Sequence, residues 1–435
     1  MNDYIINGGK KLKGSVTINA SKNSAVAVLI TSLLNEGKTT IKNLPKIEEV
    51  FRIIEVMRSI GAKMEWKKDH EFEIISPKKI DIKKIDKEAA KKTRSIILFA
   101  GALAGKLKNF SIPNSGGCKL GKRTIMPHIY ALAEFGVKIE DFCDEIKIHW
   151  TKKKPVRKLV MYEASDTATE NAIMVAAMIP GKTVIKFSSA NYQVQDLCNF
   201  LLALGIKIEG IGTITLIIYG IEKFKKDISY WLTEDPIESM FFISASIVTG
   251  SSIIIKRCPL EFLELELEKL KKMGFKFKIL KEYISGNGFG TLADIKTFPS
   301  KLLAPVEKIH PQPFPGLNID NLPFFVPIAM VAEGRTLIHD WVYEDRVIYY
   351  TEMNRLGGKI TLADPHRIFI EGPTNFKPGE IVCPPALRPS AIILIAMLKA
   401  NGKSVLKNTY VIERGYENLC GRLRKLGADI IKKSL

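Results

Sequence analysis

Glu48-Glu49-Val50-Phe51-Arg52-Ile53-Ile54-Glu55-Val56-Met57-Arg58-Ser59-Ile60-Gly61-Ala62-Lys63 is the stretch from which the architecture can be read. Val50, Ile53, Ile54 and Met57 stand at the i, i+3, i+4, i+7 spacing of one buried helix face, so the pattern predicts a helix over 48–60. Gly61 ends it, and a strand pair is expected from residue 63. Upstream, Thr39-Thr40-Ile41 reads as a strand, and Gly37 reads as the C-terminal glycine of a helix over 22–34 with Ser21 as N-cap. Ser15-Val16-Thr17-Ile18 reads as the strand that precedes that helix. The local unit is therefore β-α-β-α-β-β.

The same phrase returns along the chain. Ile60-Gly61, Phe135-Gly136, Leu204-Gly205, Met273-Gly274, Leu356-Gly357 and Leu426-Gly427 each close a helix-like run. Gly37, Gly105, Gly181, Gly250, Gly334 and Gly402 each open the β-branched run upstream, at separations of 24, 31, 24, 24, 23 and 25 residues. One supersecondary unit is thus used six times, which divides most simply into two sets of three. The second copy is longer than the others, and its surplus holds Ser115-Gly116-Gly117-Cys118-Lys119.

Aligning the copies by phase brings charged residues into register. Lys22, Asp166, Asp235, Asp320 and Arg388 fall 14 or 15 residues before their glycines, at the start of each first helix, with Arg94 in the corresponding part of the second copy. Arg346 and Arg414 fall 12 residues after theirs, and Arg123 matches them once the surplus is removed. Cations at a helix N-terminus oppose the helix dipole unless an anion is bound there, so three arginines in phase read as anion-binding groups.

Two further features suggest chemistry. Ser115-Gly116-Gly117-Cys118-Lys119-Leu120-Gly121-Lys122-Arg123 is glycine-rich and basic, and its cations favour the thiolate of Cys118, as a nucleophile or a proton donor. The other five cysteines read as small buried hydrophobes. Asp320, in Phe314-Pro315-Gly316-Leu317-Asn318-Ile319-Asp320-Asn321, reads either as a turn former or as a general base.

Composition narrows the class. The chain has 435 residues, 46 % of them hydrophobic, enough for two large cores. Its longest apolar runs fall short of the roughly 18 residues that span a bilayer, and residues 1–4 carry no signal-peptide pattern, so a cytoplasmic protein is expected. Six scattered cysteines without a C-x-x-C pair argue against a metal site or a disulfide framework, and no metal or cofactor is expected. The net charge of +19 lies largely in lysine runs such as 78–92 that are not interleaved with aromatics. They read as a solvated face and not as a nucleic-acid or membrane interface.

Ala20-Ser21-Lys22-Asn23-Ser24-Ala25, the Gly116-Gly117-Cys118-x-x-Gly121-x-Arg123 loop, Glu344-Asp345-Arg346, Leu387-Arg388 and Glu413-Arg414-Gly415-Tyr416 together resemble the enolpyruvate transferases, nearly end to end. The Lys-Asn pair and the Gly-Gly-Cys loop resemble the branch of that family that acts on a sugar nucleotide. The resemblance implies an α/β fold of two inside-out barrel domains, each of three β-α-β-α-β-β units. It implies boundaries at 22–232 for one domain and at 1–21 with 233–435 for the other. It further implies transfer of the enolpyruvyl group of phosphoenolpyruvate to the 3′-hydroxyl of UDP-N-acetylglucosamine, with phosphate released by addition and elimination, as a step committed to peptidoglycan. By the same resemblance Cys118 protonates the methylene carbon or forms an adduct, and Asp320 takes the hydroxyl proton. Lys22, Arg123, Arg346, Arg388 and Arg414 surround the phosphate and carboxylate, while Asn23 and Arg94 hold sugar nucleotide and intermediate, with Asp166 at the nucleotide side. Small-molecule substrates are the only partners implied, and a monomer is expected. Ala386 and Met126 stand where the family carries acids, which leaves a different nucleotide or sugar acceptor open.

Overall fold

The computed structural model describes residues 2–114, 124–150 and 154–434. Among these, the chain divides into two compact units, one spanning 20–233 and the other combining the first 19 residues with those from 234 onward.

In the unit 20–233 the helix Glu48–Ser59 buries Val50, Ile53, Ile54 and Met57, the face expected from their spacing. It links the strand Lys38–Lys42 to the hairpin Lys63–Lys68 and Glu71–Ile75. Lys38–Lys42 pairs antiparallel with Glu71–Ile75 on one side and parallel with Ile228–Trp231 on the other. A second sheet repeats the order, with Gly181–Lys186 between antiparallel Thr215–Gly220 and parallel Lys158–Val160, and Lys207–Glu209 outermost. A third holds Asn109–Pro113, Glu145–His149 and Lys138–Asp141.

Strands such as Lys38–Lys42 and Thr215–Gly220 alternate buried with less buried positions, so each sheet has one dry face. The helices that open the repeats are dry nearly all round: eight of the ten residues in Lys22–Thr31 and ten of the twelve in Asp166–Ala177 are buried. Helices without a wet face belong in the middle. Sheets therefore lie outside and helices inside, which is the inside-out arrangement expected.

The other unit follows the same plan. All fourteen residues of Pro236–Thr249 and eleven of the thirteen in Leu387–Lys399 are buried. Ile254–Pro259 pairs with Thr291–Phe298, which pairs with Lys276–Ile284. Gly334–His339 pairs with Arg367–Gly372, which pairs with Ile360–Asp364. In the last sheet Gly402–Lys407 has Glu380–Val382 parallel on one side and the N-terminal strand Asn2–Gly8 on the other, and Asn2–Gly8 continues to Asp429–Ser434.

Three local expectations change. Ser15–Thr17 does not join the sheet of the helix it precedes; it pairs with Ile254–Pro259, and Ile228–Trp231 takes the corresponding place beside Lys38–Lys42. Gly37 is not a left-handed cap, because the helix Lys22–Thr31 runs into a 3-10 turn, Ser32–Leu34, before it. Its glycine is needed for close approach, since a Cβ there would lie 2.5 Å from the Lys226 carbonyl oxygen. The closing glycines are the conformational ones: Gly61, Gly136, Gly205, Gly274, Gly357 and Gly427 all have φ between 83° and 108°. Finally, the first strand of the fifth repeat shrinks to an isolated parallel bridge between Ile309 and Ile338. Pro305, Pro311, Pro313 and Pro315 remove the amide donors a full strand would use.

Candidate functional site

The phase argument locates real helix starts. Lys22 and Asp166 are the first residues of Lys22–Thr31 and Asp166–Ala177, and Arg94 opens the 3-10 turn Arg94–Ile97 that runs into Leu98–Ala104. Asp235 caps Pro236–Thr249, accepting from the Ile237 and Glu238 amides. Arg388 is the second residue of Leu387–Lys399, and Asp320 stands two residues before the 3-10 turn Leu322–Phe324. Cys118 and Arg123 lie outside the described residues.

In the unit 20–233, the Ser21 hydroxyl accepts from the Ser24 amide at 3.2 Å and so sets the first turn that carries Lys22 and Asn23. The Asn23 Nδ2 group donates to Tyr192 Oη at 3.1 Å and to Gln193 Oε1 at 2.9 Å. Gln193 in turn donates to Glu170 Oε1 at 3.0 Å. Burial raises the Glu170 carboxyl well above the usual range; the Gln193 hydrogen bond and the Lys22 charge oppose that rise, and the Asp166 charge adds to it. Asp166 accepts from Ser189 Oγ and from Asn191 Nδ2 at 2.9 Å.

Around Arg94 the framework is neutral. The Asn171 Nδ2 group donates to His128 Nδ1 at 2.9 Å, which leaves the ring proton on Nε2, 3.2 Å from Thr167 Oγ1. Asn171 also donates to the Ile97 carbonyl and accepts from the Gly101 amide. Burial, then the Arg94 charge, push His128 down to about 4. A histidine depressed in the folded state gives stability that is full above its unfolded value near 6.5 and is lost as pH falls toward 4. Urea titrations should therefore show His128→Gln losing less stability than the parent between pH 7 and pH 5, by on the order of 2 kcal/mol. Equal losses in both proteins would mean that His128 is not held neutral.

In the other unit the turn before Leu322–Phe324 is pinned by Glu266. Its Oε1 accepts from the Asn318 amide at 3.3 Å and from Asn321 Nδ2 at 2.7 Å, and Asn318 Oδ1 accepts from the Asp320 amide at 2.9 Å. This presents the Asp320 carboxylate to two arginines, with Arg388 Nη2 at 3.4 Å and Arg346 Nη1 at 3.9 Å. Arg388 also donates to Tyr416 Oη at 3.0 Å, and burial pushes that phenol up to about 12. Arg346 is 1 % exposed, donates from Nε to Asp340 and from Nη2 to the Ile319 carbonyl at 2.9 Å, and lies over the Tyr343 ring.

The structure thus gathers Asp320, Arg346 and Arg388 in one unit, and Lys22, Asn23 and Asp166 around Tyr192, Gln193, Glu170 and Asn191 in the other. Two details of the arginine reading change. The Arg346 charge, though at the N-cap of the 3-10 helix Val347–Leu356, is met by Asp340, so no bound anion is needed to keep it there. Arg414 does not open a helix: it is the C-cap of Tyr410–Glu413, and the next helix starts after Asn418, at Leu419–Lys425. Cys143 is exposed, not a buried hydrophobe, whereas Cys198, Cys258, Cys383 and Cys420 are buried. Glu170, Gln193, Glu266 and Asp340 carried no signal in the sequence, because a polar residue on a core-facing helix or at a strand end shows no periodicity of its own. Among the described residues no group of three or more metal-ligating side chains is found, and no helix is long and apolar enough to cross a membrane.

Charged residues at the starts of buried helices, in two units that each carry three small sheets, define a class. The family model described as EPSP synthase (3-phosphoshikimate 1-carboxyvinyltransferase) matches residues 6–423, and the chain belongs to this family, the enolpyruvate transferases. Within it, the chain is similar to proteins named UDP-N-acetylglucosamine 1-carboxyvinyltransferase. The relative from Treponema denticola is 32 % identical, with 99 % of each chain covered. That from Bradyrhizobium diazoefficiens is 33 % identical, with 98 % of this chain and 97 % of the relative covered. Among solved structures, the enolpyruvyl transferase NikO from Streptomyces tendae shares the fold with a TM-score of 0.85 at 22 % identity, over 100 % of this chain and 99 % of that one. An EPSP synthase from Acinetobacter baumannii has a TM-score of 0.77 at 19 % identity over the full length of both chains.

Proposed function

We propose that this chain transfers the enolpyruvyl group of phosphoenolpyruvate to the 3′-hydroxyl of UDP-N-acetylglucosamine and releases inorganic phosphate, a committing step of peptidoglycan synthesis. The hydroxyl oxygen bonds to the central carbon of phosphoenolpyruvate while a proton adds to its methylene carbon. Loss of a proton and of phosphate then restores the double bond on the new ether. Asp320 takes the hydroxyl proton, and Cys118 delivers the proton to the methylene carbon or adds to the central carbon itself. Lys22, Arg123, Arg346, Arg388 and Arg414 meet the phosphate and carboxylate charges; Asn23, Arg94 and Asp166 hold the sugar nucleotide.

The observation that carries this reading is the Asp320 carboxylate with Arg388 at 3.4 Å and Arg346 at 3.9 Å. A base beside fixed cations suits removal of a proton from a hydroxyl that attacks an anionic substrate, because the cations stabilise charge as it develops and need no reorganisation. The likeness to full-length relatives of that name supports the choice of acceptor. The test is phosphate release with phosphoenolpyruvate and a panel of acceptors. Release is expected only with both phosphoenolpyruvate and UDP-N-acetylglucosamine. Release as fast with shikimate 3-phosphate or another UDP-sugar would overturn the acceptor, and release with no acceptor would overturn the transfer.

A further inference from the structure

We infer that Glu170 is a positioning residue for the acceptor: through Gln193 it fixes the Asn23 amide so that its carbonyl oxygen, and not its NH2 group, is offered to the sugar nucleotide. The inference rests on the reading that Asn23 contacts that substrate.

The geometry is a chain of three side chains with a direction. Glu170 Oε1 accepts from Gln193 Nε2 at 3.0 Å, Gln193 Oε1 accepts from Asn23 Nδ2 at 2.9 Å, and the same Nδ2 donates to Tyr192 Oη at 3.1 Å. Both protons of the Asn23 amide are thereby used within the protein, while its Oδ1 makes no hydrogen bond to the described residues. An Asn side chain has two donors and one acceptor group, so spending the donors leaves an acceptor for the ligand. A sugar hydroxyl or an acetamido N–H is the complementary partner.

Glu170 supplies the sense of the chain because a carboxylate oxygen, an acceptor only, facing the Gln193 amide can only be matched by an N–H. Turning Gln193 over would set its carbonyl against Glu170 Oε1 and its NH2 against the NH2 of Asn23, losing two hydrogen bonds at once. Without Glu170 that penalty disappears and either orientation of both amides is open. Glu170 itself is 1 % exposed, and its second oxygen, Oε2, is buried with no hydrogen-bond partner among the described residues. A buried carboxyl with an unmatched oxygen costs stability, so its presence calls for an explanation other than packing. Burial raises its pKa, while the Gln193 hydrogen bond and the Lys22 charge, which favour the ionised form, oppose that rise.

The experiment is steady-state kinetics on the full chain, with both substrates varied. Glu170→Leu removes the acceptor but fills similar space and relieves the unmatched oxygen. Its KM for UDP-N-acetylglucosamine is expected to rise about 10-fold, with the KM for phosphoenolpyruvate within about twofold of the parent, the range of one lost neutral hydrogen bond. Glu170→Gln, whose carboxamide can face Gln193 with either its oxygen or its NH2 group, should give an acceptor KM between those of the parent and Glu170→Leu. In an Asn23→Ala background, Glu170→Leu should add nothing further. Gln193→Leu, which cuts the chain at its middle, should reproduce the effect and covers the case in which Glu170→Leu fails to fold. The inference is overturned if Glu170→Leu and Gln193→Leu leave the acceptor KM unchanged, raise both KM values alike, or act additively with Asn23→Ala. An Asn23→Ala enzyme with the parent acceptor KM would instead overturn the placing of Asn23 at the substrate, a failure visible before any Glu170 variant is made.

Discussion

Asp320→Asn is expected to lower kcat for phosphate release by about 1,000-fold while both KM values change by less than about threefold, the pattern of a lost general base. The substitution is close to isosteric, and the amide oxygen can still accept from Arg388, so the cationic surroundings stay in place. What is lost is the capacity to take a proton from the attacking hydroxyl. The turn should survive, because it is held by Glu266 through the Asn318 amide and Asn321 Nδ2, and by Asn318 Oδ1 through the residue-320 amide, none of which needs the Asp320 carboxylate. A fall of less than tenfold would show that another group accepts the proton. A large rise in either KM at constant kcat would assign Asp320 to binding.

Asp340→Ala is the change expected to cost most stability, about 3–5 kcal/mol, seen as a drop in the urea midpoint. Asp340 and Arg346 are 0 % and 1 % exposed, so removing the acid leaves a guanidinium buried without its main counter-charge. Burial alone would lower the Arg346 pKa; the surrounding groups, Tyr350 and Asp340 foremost, outweigh it and raise the value instead. Arg346 cannot escape by deprotonating. Exchanging both partners for apolar side chains, as in Asp340→Leu with Arg346→Met, should recover most of the loss, since the penalty belongs to the unpaired charge and not to the absence of an ion pair. A single Asp340→Ala variant within about 1 kcal/mol of the parent would mean that water reaches the site.

The repeat was legible because two of its signals are local. A helix that ends on a left-handed residue needs glycine, and all six closing glycines are of that kind. A helix start needs a cap and tolerates charge, so Lys22, Asp166, Asp235 and Arg388 stand out against apolar runs. The misreadings come from what is not local. Whether Ser15–Thr17 lies beside Lys38–Lys42 or Ile254–Pro259 depends on strands far away in the chain, and a three-residue strand with β-branched Val16 and Thr17 suits both. The place of Arg414 repeats that of Arg346 in number only, because Asn418, at φ 44°, breaks the backbone and restarts the helix beyond it. Asp340 was hidden for another reason: one acid at the end of Gly334–His339 has no pattern, and only the packed core makes it the partner of Arg346.

The placement of Asn2–Gly8 sets an order of events during synthesis. This strand is made long before its two neighbours, Gly402–Lys407 and Asp429–Ser434. The described residues of the unit 20–233 come from one continuous span, and its strands all find partners within that span. It can fold while translation continues. The strand Asn2–Gly8 must wait, unpaired, until residues 402–407 have been made, and nascent chains stalled before residue 402 will hold one finished unit tethered to a strand with two open edges that chaperones can bind.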